Sequence, residues 1–210
     1  MTFADWLSGR NRRKKWKIFL KKIKPNANLS VLDIGYTDKE YSPYYNYLEK
    51  HYPYTRKITA MGVDEPLEFS ERYPEVTVVK YPGQEFPFKD KQFDVAWSNA
   101  TIEHVGGFDR QLLFLKEIKR VAKRAFITTP NRNFPVEVHT RTPLLHFLPK
   151  NYFDKYLKFT GQEWAAGDYM NLLSLGDIKR LLKMAEIKKY KIIKNRLSFL
   201  TLDFVIIFES

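Results

Sequence analysis

The sequence predicts an α/β domain: a mostly parallel seven-stranded sheet with helices on both faces and an antiparallel strand pair at its C-terminal end. Three observations predict it. Short apolar runs alternate with helix-like segments between Val31 and Thr129, the pattern of a parallel sheet joined by crossover helices. The first run, Val31 to Gly35, is apolar at Val31, Leu32 and Ile34, as suits a strand buried on both faces. Two further runs, about 188–195 and 201–208, close the chain with no helix between them.

The elements follow in order. Residues 10–24 place Trp16, Phe19, Leu20 and Ile23 at helical spacing among lysines and arginines, a basic amphipathic helix. Its stripe can pack on the domain's own core, cover a pocket, or lie on anionic membrane. Residues 1–24 are therefore read as an N-terminal cap or surface helix, and 25–210 as the main domain. Gly35 ends the first strand and lets the backbone turn close to a ligand, in the crevice where open parallel sheets bind theirs. Ser42 as N-cap and Pro43 at the first helical position predict a helix to about His51. Strands follow at 57–63, 76–80, 93–98 and 124–129, with a helix over about 108–122. Residues 130–173 break the rhythm with eight aromatics, and so long a connection is usually functional. We read it as a substrate cap. Ser174 precedes an amphipathic helix over about 176–187.

Composition narrows the chemistry. The chain has 210 residues and no cysteine, which excludes disulfides, thiolate nucleophiles and thiolate metal sites. No apolar run approaches the roughly 18 residues of a membrane span. The basic N-terminus lacks the apolar core of a signal peptide, and together these features point to a cytoplasmic protein. The net charge of +12 is concentrated in residues 1–24 (+8) and 179–196 (+7). Such blocks are solvated faces or surfaces for anionic partners such as nucleic acid or phospholipid.

Val31-Leu-Asp-Ile-Gly35, Gly62-Val-Asp-Glu65, the block from Phe93 to Val105 that contains FDVAWSNATIEHV, and the closing helix and strand pair resemble, in order and spacing, a class I S-adenosylmethionine-dependent methyltransferase with a Rossmann-like domain. The segment from Thr129 to Pro149 resembles a subset that acts on small molecules, some linked to polysaccharide synthesis. The resemblance implies S-adenosylmethionine as cofactor. Asp33, Gly35 and Tyr36 would line its methionine end, Asp64 would accept hydrogen bonds from the ribose hydroxyls, Gly83 and Gln84 would edge the adenine, and Ser98 and Asn99 would flank the sulfonium. The chain departs from the family's Gly-x-Gly-x-Gly loop, with Thr37 and Lys39 at the second and third glycine positions.

Transfer from a sulfonium needs an in-line approach in a dry site, and a general base only for a poorly ionised acceptor such as a hydroxyl. His139 is the expected base, Glu137 its orienting partner, and His104 a further candidate. Glu137, His139 and His146 have ligand atoms but not a ligand spacing, and no metal is expected. Without cysteine the route to carbon-5 of cytosine is closed, and Ser98 to Thr101 lack the tetrad typical of adenine amino-group transfer. The aromatic segment suits a small or medium organic acceptor, such as a sugar or glycan hydroxyl. Two other readings stand beside it: an RNA methyltransferase using the basic blocks, and a degenerate, non-catalytic binding module with the same fold.

Overall fold

The computed structural model describes residues 3–137 and 139–210, and side chains from Ser8 onward. Met1, Thr2 and Val138, which fall in the N-terminal and cap segments, lie outside the described residues. Seven strands form one sheet in the order β3-β2-β1-β4-β5-β7-β6. The strands are β1 (Val31–Ile34), β2 (Ile58–Gly62), β3 (Thr77–Lys80), β4 (Phe93–Asn99), β5 (Ala122–Pro130), β6 (Tyr190–Leu197) and β7 (Leu200–Glu209). Only β7 runs against its neighbours, pairing antiparallel with both β5 and β6. The reversal of strand order lies between β1 and β4, so the crossovers leave on opposite sides and a crevice opens beyond their carboxyl ends.

Six helices accompany the sheet: α1 (Phe3–Ile23), α2 (Tyr47–His51), α3 (Leu67–Arg72), α4 (Phe108–Val121), α5 (Lys150–Phe159) and α6 (Leu175–Met184). Ser174 and Asp177 form a reciprocal capping box at the start of α6. One core joins β1, β4 and β5 to α4 and α6, and a second joins α1 to the sheet's other side. No described helix is long and apolar enough to cross a membrane.

The helix expected from Ser42 does not form there. Ser42 closes a local turn instead, its hydroxyl and carbonyl accepting from the amides of Tyr44 and Tyr45. Asn46 then takes a left-handed conformation (φ 45°), and regular helix begins only at Tyr47. A helix-start signal was present, but the polar ties of Asn46 described below outweigh it. The structure also adds α3 and α5, which residues 67–72 and the cap segment did not announce.

Helix α1 lies on the sheet. Phe19 is fully buried edge-on against Trp97 of β4 (ring centroids 4.8 Å) and Phe126 of β5 (5.3 Å), which stack on each other at 5.0 Å. Trp16 stacks on Phe19 and meets Trp97 and Tyr47 at 5.9 and 6.1 Å. Ile23 is buried beside them, and the Arg124 guanidinium donates to the Ile23 carbonyl near the helix end. The apolar stripe is thus spent on the protein's own core, with only Leu20 of the four substantially exposed. Edge-to-face aromatic contacts add to area burial. Phe19→Ala should therefore cost about 3–5 kcal/mol of stability, read as a shift in the urea midpoint at constant slope. A loss under about 1 kcal/mol, within the range of ordinary surface changes, would mean that α1 is not fastened through this ring.

Candidate functional site

The first part of the site is built where β1 stops. Gly35 has φ +103°, a conformation that side chains resist, and its amide donates to the Met61 carbonyl. A Cβ on Gly35 would stand 2.5 Å from Oγ1 of Thr101, a hydroxyl that donates to the Ile34 carbonyl. The tips of β1 and β4 are therefore in contact through a residue that has to be glycine. Tyr36 is buried across the end of β2. Its ring would clash with any Cβ on Gly62, it packs on Phe69 at 4.6 Å, and its hydroxyl donates to the Asp64 backbone carbonyl at 2.6 Å. The Asp64 carboxylate itself is exposed at the β2 tip.

Beyond Tyr36 the chain does without glycine. Among residues 36–45 no φ is positive, so Thr37 and Lys39 need no glycine-only backbone. Side-chain ties hold the loop. Asn46 accepts from the Thr37 amide and donates to the Thr37 carbonyl and to Glu40. Asp38 accepts from the Phe69 amide in the first turn of α3, and Glu40 also accepts from Tyr73 and Lys50. Underneath, Asp33 and Glu49 are two buried carboxyls facing each other, and neither Glu49 oxygen accepts a bond from a protein N–H or O–H. Burial raises both, Asp33 to about 6 and Glu49 well above the usual carboxylate range, and for Glu49 the neighbouring Asp33 charge adds to it.

The second part lies at the ends of β4 and β5. Ser98 is fully buried with no partner for its hydroxyl. Asn99 Oδ1 accepts from Thr128 at 2.7 Å, and Ala100 follows with φ 59°, strained for a non-glycine residue. Glu103 is buried completely. Its Oε2 accepts from Thr129 at 3.0 Å, while Oε1 has no hydrogen-bond donor and lies 4.0 Å from His104 Nε2 and 3.8 Å from His139 Nε2. His104 donates from Nδ1 to the Tyr169 carbonyl, and His139 from Nδ1 to Glu137 Oε1 at 2.7 Å. Glu137 also accepts from the His139 amide and from the amide and hydroxyl of Thr140, so one carboxylate orients the imidazole and ties the loop.

These surroundings push the two imidazoles apart. Burial lowers His104, more than the Glu103 charge restores it. For His139 burial also lowers, but the Glu137 hydrogen bond and the Glu103 and Glu137 charges prevail and raise it. Burial opposes ionisation of Glu137, yet the bond from His139 and the loop amides bring it down to about 2. Titratable neighbours with opposed shifts mark acid–base sites more often than chance.

Several residues of this region were not singled out from sequence. Glu103 was read only inside its motif. Helix α1 brings Lys15 against Asp203 (3.5 Å) and Thr128 (3.4 Å), and Asn11 donates to Asp203 at 2.6 Å. Burial lowers both Arg12 and Lys15, with Asp203 and then, for Arg12, Glu103 pulling the other way. No local signal separates these cations from their exposed neighbours; helical phase alone would have, had the docking face been known. The structure thus gathers Asp33, Gly35, Tyr36 and Asp64 at the β1 and β2 tips, and Ser98, Asn99, His104, Glu137 and His139 at those of β4 and β5. Gly83 and Gln84 join neither network. They border a shallow depression with Arg110 and Leu113 of α4.

The arrangement fits a ligand with a cationic amino acid end. A buried carboxyl pair whose Glu49 oxygens have no partner and whose Asp33 feels the Arg12 charge, an unpartnered buried hydroxyl on Ser98, and a turn at Gly35 with no room for a Cβ gather around the ends of β1 and β4. Residues 32–125 match the family described as a methyltransferase domain. No curated protein matches the chain. Among solved structures, it resembles a SAM-dependent methyltransferase from Methanosarcina mazei, 17% identical over 90% of this chain and 96% of that one, with a TM-score of 0.57. One from Aquifex aeolicus is 18% identical over 94% and 97%, TM-score 0.56. The Burkholderia thailandensis 1,6-didemethyltoxoflavin-N1-methyltransferase, with its substrate and S-adenosylhomocysteine bound, is 17% identical over 97% and 80%, TM-score 0.60. At these identities the likeness is one of fold.

The carboxyl pair makes a prediction about the ligand-free protein. A carboxyl whose folded pKa is raised binds more protons folded than unfolded, so its contribution is intact below the unfolded value and declines as pH rises toward the folded one. Between pH 5 and 8 the wild-type Tm should therefore carry a downward contribution that Glu49→Gln removes. The variant should gain on the wild type as pH rises, and parallel Tm profiles would contradict the raised carboxyl pair.

Proposed function

We propose that this chain is a class I S-adenosylmethionine-dependent methyltransferase, a reading supported by its strand order and by the match of residues 32–125, and that it methylates a hydroxyl of a small or medium organic acceptor such as a sugar or glycan. The observation that carries the acceptor reading is the His139–Glu137 pair at 2.7 Å, placed beside the β4 tip. A fixed imidazole of raised basicity serves a nucleophile that has to lose a proton, such as a hydroxyl; a thiolate or an already neutral amine needs none. When bound, S-adenosylmethionine supplies an electrophilic methyl group, whose carbon–sulfur bond breaks with the electron pair staying on sulfur as the acceptor oxygen bonds to carbon.

The residues then take these roles. Asp33 with Glu49 receives the cofactor's ammonium, Gly35 and Tyr36 offer backbone groups to its methionine end, and Asp64 accepts from the ribose hydroxyls. Gly83 and Gln84 edge the adenine, and Ser98 and Asn99 flank the transfer point. Glu137 keeps the proton on Nδ1 of His139, so Nε2 is free to take the acceptor's proton, and His104 stays neutral beside it. The segment 130–173, with a small core of its own around Phe153 and Leu157, caps the acceptor and excludes water. A cytoplasmic location belongs to the same proposal, since a cysteine-free composition is at home in a reducing compartment.

The RNA reading draws on both basic blocks; of these, α1 spends Arg12 and Lys15 on Asp203 and Glu103, and Lys179, Lys183 and Lys188 line a depression with Lys119. That patch sits where β6 begins, at the opposite end of the sheet from the crevice, which favours the smaller acceptor. The degenerate-module reading draws on Thr37 and Lys39, whose backbone the structure accommodates. Transfer of labelled methyl to a panel of sugars, glycans and phenols tests the proposal. His139→Ala should lower kcat about 100- to 10,000-fold with S-adenosylhomocysteine binding retained. Transfer at the wild-type rate by that variant would remove the base from the account.

A further inference from the structure

We infer that Glu103, His104 and His139 form a binding site for one divalent transition-metal ion on the acceptor side of the crevice. Their ligand atoms, one carboxylate oxygen and two imidazole nitrogens, lie within 4.8 Å of one another. Two imidazoles and a carboxylate suit Zn²⁺, Mn²⁺, Fe²⁺ or Co²⁺ better than Mg²⁺ or Ca²⁺, which prefer all-oxygen surroundings.

Three features separate this cluster from a chance meeting of polar side chains. Glu103 Oε1 is fully buried, accepts no hydrogen bond, and points at both Nε2 atoms, at 4.0 and 3.8 Å. The Arg12 and Lys15 charges act on Glu103 from a distance, but no donor reaches Oε1, and a buried carboxylate oxygen left so is costly. Both histidines are also held by the opposite nitrogen. His104 Nδ1 donates to the Tyr169 carbonyl at 3.1 Å and His139 Nδ1 to Glu137 at 2.7 Å, so both Nε2 lone pairs are free. A metal-ligating histidine almost always has such a carbonyl or carboxylate behind it. Finally, the ligands are held in place: Glu103 and His104 are neighbours in the short turn Ile102–His104, and His139 comes from the loop after β5. Glu103 is anchored through Oε2 to Thr129 of β5 and through its carbonyl to the Asn171 amide, and the imidazole rings stand nearly perpendicular at 4.9 Å.

Ligand atoms about 2.0–2.2 Å from one ion stand roughly 3.0–3.5 Å apart, so Glu103 Oε1, at 3.8 and 4.0 Å from the two Nε2 atoms, has to approach each by about an ångström or less, while the two nitrogens, within 4.8 Å of each other, have to close by at most about 1.8 Å through side-chain rotation. Three protein ligands leave coordination positions open, and acceptor hydroxyls are the groups that would fill them. With an ion bound, His139 Nε2 is a ligand and no longer the base; the ion would then lower the pKa of a bound acceptor hydroxyl, whose proton passes to water, so metal and imidazole are alternative routes to the same deprotonation. That last role rests on the hydroxyl-acceptor reading; metal binding itself does not. The site revises the sequence expectation of no metal, which weighed Glu137, His139 and His146. Here Glu137 stands behind a ligand and His146 points its Nε2 at the Arg132 carbonyl.

Titration of Co²⁺, Mn²⁺ and Zn²⁺ into chelator-treated, full-length protein, with no cofactor or acceptor, tests the inference. The wild type should bind one ion, with Co²⁺ giving the visible absorption of a nitrogen-ligated site. His139→Ala and Glu103→Gln should each weaken binding by about 100-fold or more, with the fold checked by circular dichroism, and His146→Ala should leave it unchanged. Absence of binding to folded wild type, or equal binding by wild type, His139→Ala and Glu103→Gln, would overturn it. S-adenosylhomocysteine binding measured on the same samples separates the two ideas: its retention without metal binding sinks the metal site alone.

Discussion

The contact between the tips of β1 and β4 is the constraint on which the rest depends. Gly35 meets Thr101 with no room for a Cβ, and the Thr101 hydroxyl is returned to the carbonyl of Ile34. Parallel strands at a point of reversed order would otherwise let their loops splay. Closing them here brings Asp33 and Tyr36 beside the segment that carries Ser98, Asn99, Glu103 and His104. Polar groups of the β1 and β2 tips and of the β4 and β5 tips thereby meet on neighbouring strands. Catalytic geometry is most accurate on such supports.

Polar side chains replace what glycines do elsewhere. Asn46, Asp38 and Glu40 bind the loop after Gly35 to α3 and to itself, giving it a fixed path in ordinary backbone conformations. The helix α1 adds a lid of a different kind. Its rings clamp it to Trp97 and Phe126, and in doing so carry Arg12 and Lys15 to a region rich in carboxylates: Asp203, Glu103 and Asp33. Buried charges persist only when paired, so the cationic helix and the acidic strand ends stabilise each other.

Much of the fold was legible because burial on both faces writes itself into strands: Val31 to Ile34 and the run from Phe93 show it without help from their neighbours. The turn after β1 was legible at Gly35 for the same kind of local reason. Ser42 and Pro43 misled, since a capping signal competes with tertiary hydrogen bonds it cannot foresee, here those of Asn46. His139 and Glu137 could be paired from their spacing of two. Glu103 could not be joined to His139, 36 positions further on, nor Lys15 to Asp203, because contacts between distant segments leave no period in a single sequence. The aromatics of the cap were visible, but not their division into a buried set around Phe153 and an exposed one that includes Phe159, 90% exposed.

The central claim is that the crevice at β1 and β4 binds S-adenosylmethionine despite Thr37 and Lys39. Calorimetric titration of S-adenosylhomocysteine into the purified protein tests it most directly. The account predicts saturable one-to-one binding, weakened in Asp64→Ala by the loss of charge-assisted hydrogen bonds worth about 1.5–3 kcal/mol, or roughly tenfold to a hundredfold. A folded wild type that binds neither S-adenosylhomocysteine nor S-adenosylmethionine would contradict it, and would leave a methyltransferase fold put to another use.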